Sequence, residues 1–247
     1  MPILTMKRSL ALTWLFVKEQ LKEPVSLFWM IISPAATYYL LVYYRGGFSH
    51  STSRYLENTS WFYAYVSSSV AFFGFSFYII GRRESGFIRS FIYTMDAKLV
   101  FMLAQYLAYS LIALIYCAVF FGLTYFSFGP FEVFEFLHIL GRFYVCYMLF
   151  SVFGILLSLL PLSFQNANTV FSVTSFVMLV LGVLSIRSES SVIDLVNVLN
   201  PLCLANSIMV GGVENNYFIV SGIFVLFIAI FLLSLRFLRI NPVWSRY

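Results

Sequence analysis

The segment Gly81 to Lys98, GRRESGFIRSFIYTMDAK, gathers Arg82, Arg83, Glu84, Arg89, Asp96 and Lys98 into the longest charged interruption of an apolar chain. Mixed charges interleaved with Phe87, Ile88, Phe91 and Ile92 suit pairing with charges on a partner, and Gly86 permits a tight bend. Glu132 and Glu135 sit three apart, a spacing that can serve acid–base chemistry. They alternate with Phe131, Phe134 and Phe136, however, and read as solvated acids of an interfacial segment. His138 follows, with His50 the only other histidine, and no ligand set forms around either. Cys117, Cys146 and Cys203 are far apart and unpaired in spacing, so neither a disulfide framework nor a metal site is expected. No G-x-x-x-x-G-K-[ST], H-E-x-x-H, G-x-S-x-G or C-x-x-C occurs. The chain is therefore not expected to be an enzyme or to hydrolyse nucleotide by itself.

The elements that position the charged segment are apolar. Hydrophobic residues make up 61% of the 247 positions and charged residues only 10%, against about 25% charged in soluble domains. This is the composition of a polytopic, all-helical membrane protein. A hydrocarbon core of about 30 Å takes about 20 helical residues, and six such runs occur: 24–44, 61–80, 99–121, 138–160, 169–186 and 217–235. They form one membrane domain over 24–247, with 81–98 a loop on one face. The +5 net charge flanks these runs in place of forming a block, so it reports orientation and not nucleic-acid binding.

Residues 1–23 read as an amphipathic helix in the membrane interface. Leu10, Trp14, Val17 and Leu21 share one stripe, while Lys7, Arg8, Lys18, Glu19 and Lys22 gather opposite, beside anionic lipid. Pro24 suits a first helical turn. Pro34 should kink the first span, with Ser33 or Thr37 available to satisfy the freed carbonyl. Residues 45–60 form a polar loop, and Asn58-Thr59-Ser60 matches a glycosylation triplet. Trp61, Phe62 and Tyr63 read as an interfacial belt, 122–137 as a Phe-rich loop, Arg142 as a snorkelling residue, and 161–168 as a tight turn. Region 187–216 carries Asp194, Asn197, Asn200, Pro201 and Asn206. That is too polar for a lipid-exposed span, so short helices re-entering from the outer side are expected.

Six spans with both termini cytoplasmic put Lys7, Arg8, Lys18, Lys22, Arg82, Arg83, Arg89, Lys98, Arg236, Arg239 and Arg246 inside. Only Arg45, Arg54, Arg142 and Arg187 remain outside, eleven against four. A seventh span over 192–213 would reverse the three C-terminal arginines. The span interiors nearly lack ionisable groups, which disfavours an ion-coupled transporter. A permease of this kind draws its energy from a partner.

In three places the chain resembles the six-helix permease subunits of type-2 ATP-binding-cassette (ABC) exporters. These are the interfacial helix before EPVSLFWMIISP, the Arg83-Glu84-Ser85-Gly86 that resembles the family's R-E-x-G coupling element, and Asn200-Pro201-Leu202, similar to its N-P-L before the last span. Where the family often continues with Thr and a second Glu, this chain has Phe87, Ile88 and Arg89. The resemblance implies a permease that dimerises, with itself or a second permease chain, in a plasma or bacterial inner membrane. Each half would dock a cytoplasmic ABC ATPase through Arg82, Arg83, Glu84, Ser85, Gly86, Phe87 and Arg89 and through the helix bearing Trp14, Val17, Lys18, Glu19 and Lys22. Asn200 and Pro201 would mark the outer re-entrant region. ATP and magnesium would reside on the partner, with no cofactor on this chain. The Phe- and Tyr-rich interior suits amphipathic or lipid-like cargo such as drugs or peptides. A non-transporting accessory or self-protection (immunity) protein is the alternative.

Overall fold

A computed structural model describes residues 2–44, 55–126, 131–185, 199–241 and 243, the side chains of 2–5, 24–27 and 185 excepted. Among these residues the chain is all-helical. Arg45, His50, Arg54, Arg187, Asp194, Asn197 and Arg246 lie outside them. The helices are α1 (Pro2–Leu21), α2 (Pro24–Tyr44), α3 (Tyr55–Ser69), a π-helical segment (Val70–Ser76), and α4 (Phe77–Glu84). They continue with α5 (Phe87–Phe91), α6 (Met95–Tyr125), α7 (Val133–Leu159), α8 (Phe164–Ser185), α9 (Pro201–Asn215) and α10 (Tyr217–Phe237). Five stretches are long and apolar enough to cross a membrane: Tyr55–Glu84, Met95–Tyr125, Val133–Leu159, Phe164–Leu184 and Tyr217–Phe237. The chain is a multi-pass membrane protein. α2 adds 21 helical residues without a charge.

The helices extend beyond the apolar runs. α6 has 31 residues, about 46 Å at 1.5 Å per residue, and so outreaches a hydrocarbon core of about 30 Å. Residues 122–125, expected in a loop, close α6, and 133–137 open α7. Residues 164–168, expected in the tight turn, are the first turns of α8, which leaves a short connection at 160–163. Tyr63 is no interfacial belt residue. It is fully buried, with its hydroxyl 2.7 Å from that of Tyr55, which is in turn 2.8 Å from Thr124 Oγ1. Thr59 and Ser60 are buried inside α3, a poor setting for glycosylation at Asn58. Pro34 lies within α2, but Thr37 Oγ1 donates to Ser33 O at 2.8 Å. The carbonyl freed by Pro34 is that of Met30, four residues back, so Thr37 does not satisfy it.

Side-chain bonds mark two ends of the bundle. At one, Arg83 reaches the carbonyls of Ser158, Leu160 and Leu162, joining α4 to the α7–α8 connection. Tyr78 donates to Glu23 there, beside the start of α2. At the other end Tyr39 of α2 donates to Leu123 O, and Tyr125 to Glu135 at 2.6 Å. Between them the π segment is packed to backbone distance. A Cβ on Gly154 would fall 2.0 Å from Ser76 Oγ, and one on Gly74 would fall 2.7 Å from the Tyr109 ring. Small residues at these two points let α6 and α7 close on the widened helix.

α9 begins at Asn200, whose Oδ1 accepts from Leu202 N at 3.0 Å and whose Nδ2 donates to Met178 O at 2.8 Å. Pro201 takes the first turn, where its missing donor costs nothing. The helix breaks at Gly212 (φ 78°, ψ 175°). Arg142 does not snorkel. Its Nη1 donates to Met209 O at 2.8 Å and Val210 O at 3.3 Å, carbonyls of the turn just before the break. After α10 the chain returns to the Glu84 end, where Val243 N donates to Glu84 Oε1 and Oε2 at 3.1 and 3.2 Å.

Candidate functional site

The segment 81–98 is not a loop. Gly81–Glu84 is the last turn of α4, Ser85 caps it, and Gly86 (φ 78°, ψ −1°) turns the chain into α5. Ser85 N bonds Gly81 O at 2.9 Å and Gly86 N bonds Arg83 O at 3.1 Å, so the left-handed glycine closes the helix end as such residues do. Thr94 then caps α6, its Oγ1 accepting from Ala97 N at 3.2 Å.

The charged side chains of this segment separate into two groups. Arg83 is fully buried. Its Nη1 lies 3.0 Å from Ser158 O and 3.1 Å from Leu160 O, Nη2 bonds Leu162 O, and Nε lies 3.0 Å from Glu84 Oε1. A planar guanidinium can serve carbonyls and a carboxylate at once, which an ammonium cannot. Glu84 is 8% exposed and holds the chain at Val243. Lys98 is also buried. These three, expected to face a partner or the membrane surface, are interior groups of this chain, because α4 and α6 extend past the apolar runs and carry them inside.

Arg82 acts as a staple. Its Nη2 lies 2.6 Å from Glu19 Oε2, and its guanidinium stacks over Phe16 at 3.9 Å and Phe87 at 5.1 Å. That arrangement joins α1, α4 and α5 into one body. α1 is fastened further by Tyr109 donating to Gln20 Oε1 at 2.7 Å and by Thr13 Oγ1 at 3.3 Å from Ala104 O. Its protein-facing side is thus Ser9, Thr13, Phe16, Val17 and Gln20, all buried. Val17, expected beside Trp14 on the lipid-facing stripe, belongs to this buried side. Trp14 is 59% exposed, with Lys18 Nζ 5.2 Å above its ring, and Leu10 and Leu21 are exposed near it. Lys22 is exposed too. The helix therefore has a third, polar-aromatic face that a two-sided wheel does not separate. Phe16 was missed for that reason; its spacing to Thr13 and Gln20 is the signal.

What remains accessible around α5 is Ser85, Arg89, Ser90, Phe91, Tyr93, Met95 and Asp96, with Tyr93 81% exposed. Ile88 and Ile92 turn inward, and Phe87 stacks on Phe91 at 5.8 Å. The face is amphipathic, holds one cation and one carboxylate, and rests on a rigid base.

At the opposite end a cleft of about 790 Å³ is lined by residues that include Glu132, Glu135, His138, Arg142 and Glu214. His138 Nδ1 pairs with Phe134 O at 2.8 Å. Among the described residues no grouping of His, Cys, Asp or Glu can hold a metal ion. Cys117 and Cys146 are buried free thiols.

The chain is similar to Protein McbE of Escherichia coli, 28% identical over 238 residues that cover 96% of this chain and 98% of that one. No family model matches. No solved structure matches either.

Proposed function

We propose that this chain is the membrane permease subunit of an ATP-driven exporter resembling the type-2 ABC class. A separate cytoplasmic ATPase would carry ATP and magnesium, and the cargo would be amphipathic or lipid-like. The observation that carries the reading is the body formed when Arg82 joins Glu19, Phe16 and Phe87. It fastens α1, α4 and α5 together beneath an accessible face of Arg89, Phe91, Tyr93 and Asp96. A push on α5 from outside is thereby delivered to α4 through a helix turn and to α7–α8 through Arg83, without a flexible link.

The marked ends support six crossings in this reading. α2 (Pro24–Tyr44) starts beside Glu23 and carries Tyr39 toward the other end, α4 ends at Glu84, and α7 returns to Arg83. Val243 on Glu84 supports a return of the chain to that end after α8. Six crossings satisfy this with α9 entering and leaving from the far side, whereas a seventh would leave Val243 at the wrong end. The eleven-to-four basic bias supports a cytoplasmic Glu84 end and cytoplasmic termini. Docking uses Ser85, Phe87, Arg89 and Tyr93 in this reading. Arg83 and Glu84 act inside the permease, and Gly86 sets the turn.

The burial of Arg83 and Glu84 favours the second reading, a non-transporting accessory or self-protection protein, since it removes two charges from the docking face. Replacing Arg89 by Glu together with Tyr93 by Ala tests the two. Normal membrane abundance with lost co-purification and stimulation of the phosphate-loop ATPase supports the exporter. Normal abundance with an unaffected ATPase leaves the accessory reading.

A further inference from the structure

The cleft at the far end of the bundle carries carboxylates from two elements, Glu132 and Glu135 at the start of α7 and Glu214 in α9. Glu135 accepts from Tyr125, but the carboxylates of Glu132 and Glu214 pair with nothing among the described residues. The cation that lines the cleft, Arg142, is tied to carbonyls of α9. Leu137, Ile139 and Val213 add apolar wall beside these charges. Leu137 and Gly141 form the flank of the cleft, and Tyr144 follows them at the i, i+4, i+7 spacing of one helical stripe. A Cβ at Gly141 would meet nothing within 4 Å, so the way from the cleft down α7 toward the half-buried Tyr144 is open at that point.

Below Gly141 the stripe reaches a group of hydroxyls deep in the span. Tyr144 OH is 3.0 Å from Tyr106 OH and 3.2 Å from Ser110 Oγ. The Tyr147 ring lies 6.1 Å from that of Tyr106 and 6.0 Å from that of Tyr144. Tyr147 is fully buried, and its hydroxyl, beside Ser110, makes no hydrogen bond. A buried donor without an acceptor costs free energy that a bound guest can return. Tyr106 in turn packs on Phe227 of α10 at 4.6 Å, which bounds the groove below. Tyr144 lies nine residues past Glu135, about 14 Å along the axis, the reach of a molecule with a charged head and an aromatic body. Surplus carboxylates and tyrosine faces both favour a cation. We propose that this groove binds an amphipathic cation, its head at Glu132, Glu135 and Glu214 and its acceptor-bearing aromatic body past Gly141 against Tyr144 and Tyr147. As a cargo site the groove rests on the exporter reading; as a binding site it is tested without the ATPase, so the two can fail separately.

The test uses two dansyl probes of equal length and opposite charge, dansylcadaverine and dansyl-aminohexanoate, with the purified protein in phosphatidylcholine nanodiscs. The cation should bind saturably with blue-shifted emission, and the anion should not. Glu132→Gln combined with Glu214→Gln should weaken the cation about five-fold. Gly141→Leu should abolish its binding without lowering the thermal midpoint, because the side chain enters open space. Tyr147→Phe should weaken it, again without lowering the midpoint, since the hydroxyl removed has no partner in the chain. Equal or stronger binding of the anion, or binding that survives Gly141→Leu, would mean partition into lipid and overturn the proposal. A lower midpoint for Tyr147→Phe with binding unchanged would make the hydroxyls structural and overturn it as well. A groove that passes every arm in a chain that stimulates no ATPase would sink the exporter reading alone.

Discussion

Two arginines at opposite ends of the bundle do the same work under different conditions. Arg83 satisfies carbonyls where α7 ends, and Arg142 satisfies carbonyls where α9 breaks. Each accompanies a glycine at φ 78°, Gly86 and Gly212. Arg83 is fully buried and paired with Glu84, whereas Arg142 is half-buried and donates to backbone alone. Gly86 has open space where a Cβ would stand, while a Cβ at Gly212 would lie 2.8 Å from Arg142 Nη2. At the Glu84 end the guanidinium is enclosed by the fold it joins, whereas at the far end Arg142 lies against the break in α9, which Asn216 Nδ2 also ties through Ser207 O and Gly212 O.

Removing Arg83 breaks that comparison most severely. Arg83→Met removes the guanidinium from the carbonyls of Ser158, Leu160 and Leu162, of which Leu160 O keeps its bond from Leu162 N, and takes the Arg83 charge from beside Glu84; loss of one partner of a buried pair costs about 3–5 kcal/mol. Membrane abundance and the unfolding midpoint of the solubilised protein should both fall. Arg83→Lys should restore little, since an ammonium cannot fork to several carbonyls. Retained stability in either variant would mean that the guanidinium is not the joint between α4, α7 and α8.

At the far end, Gly212→Ala should cost about 1–3 kcal/mol, because ψ near 180° at positive φ is essentially a glycine conformation. Displacement of Arg142 adds to that loss. Arg142→Gln alone should cost about 1.5 kcal/mol for its charge-assisted bonds. The two losses should combine to less than their sum, since the methyl then has no guanidinium to displace. Strict additivity in thermal unfolding would separate the break at Gly212 from the Arg142 cap.

The sequence made the membrane class, the helix sites and the turn at Gly86 legible, since apolar run length and an R-E-x-G spacing are local properties. The limits of α4 and α6 were not legible. Both helices run on into charged residues, and hydropathy ends a helix where charge begins even when the backbone continues. That single error moved Arg83, Glu84 and Lys98 from interior to surface. The same cause hid the buried face of α1, whose Ser9, Thr13 and Gln20 look solvent-facing until α6 supplies Ala104 and Tyr109 as partners. The groove along α7 was visible as polar and aromatic letters, but its opening at Gly141 required the packing of the neighbouring helices.

The smallest expected effect sharpens the contrast between the two glycines. Gly86→Ala forces an L residue into the left-handed region, at about 1–2 kcal/mol. No neighbour lies within 4 Å of the new methyl, so conformation is the whole cost. Asn tolerates that region better than other side chains; Gly86→Asn should therefore recover most of the loss. Gly212→Asn should recover nothing, because its ψ of 175° lies outside the left-handed well and its Cβ meets Arg142. Thermal midpoints of the four variants in one detergent provide the comparison. If Asn rescues both positions equally, the far-end break is an ordinary left-handed turn and Arg142 is a bystander to it. If Asn rescues neither, the space around Gly86 is filled in the assembled protein, which is what a docked ATPase on the α5 face would do. Repeating the Gly86 pair with and without that ATPase then reports docking through a residue that contributes no side chain of its own.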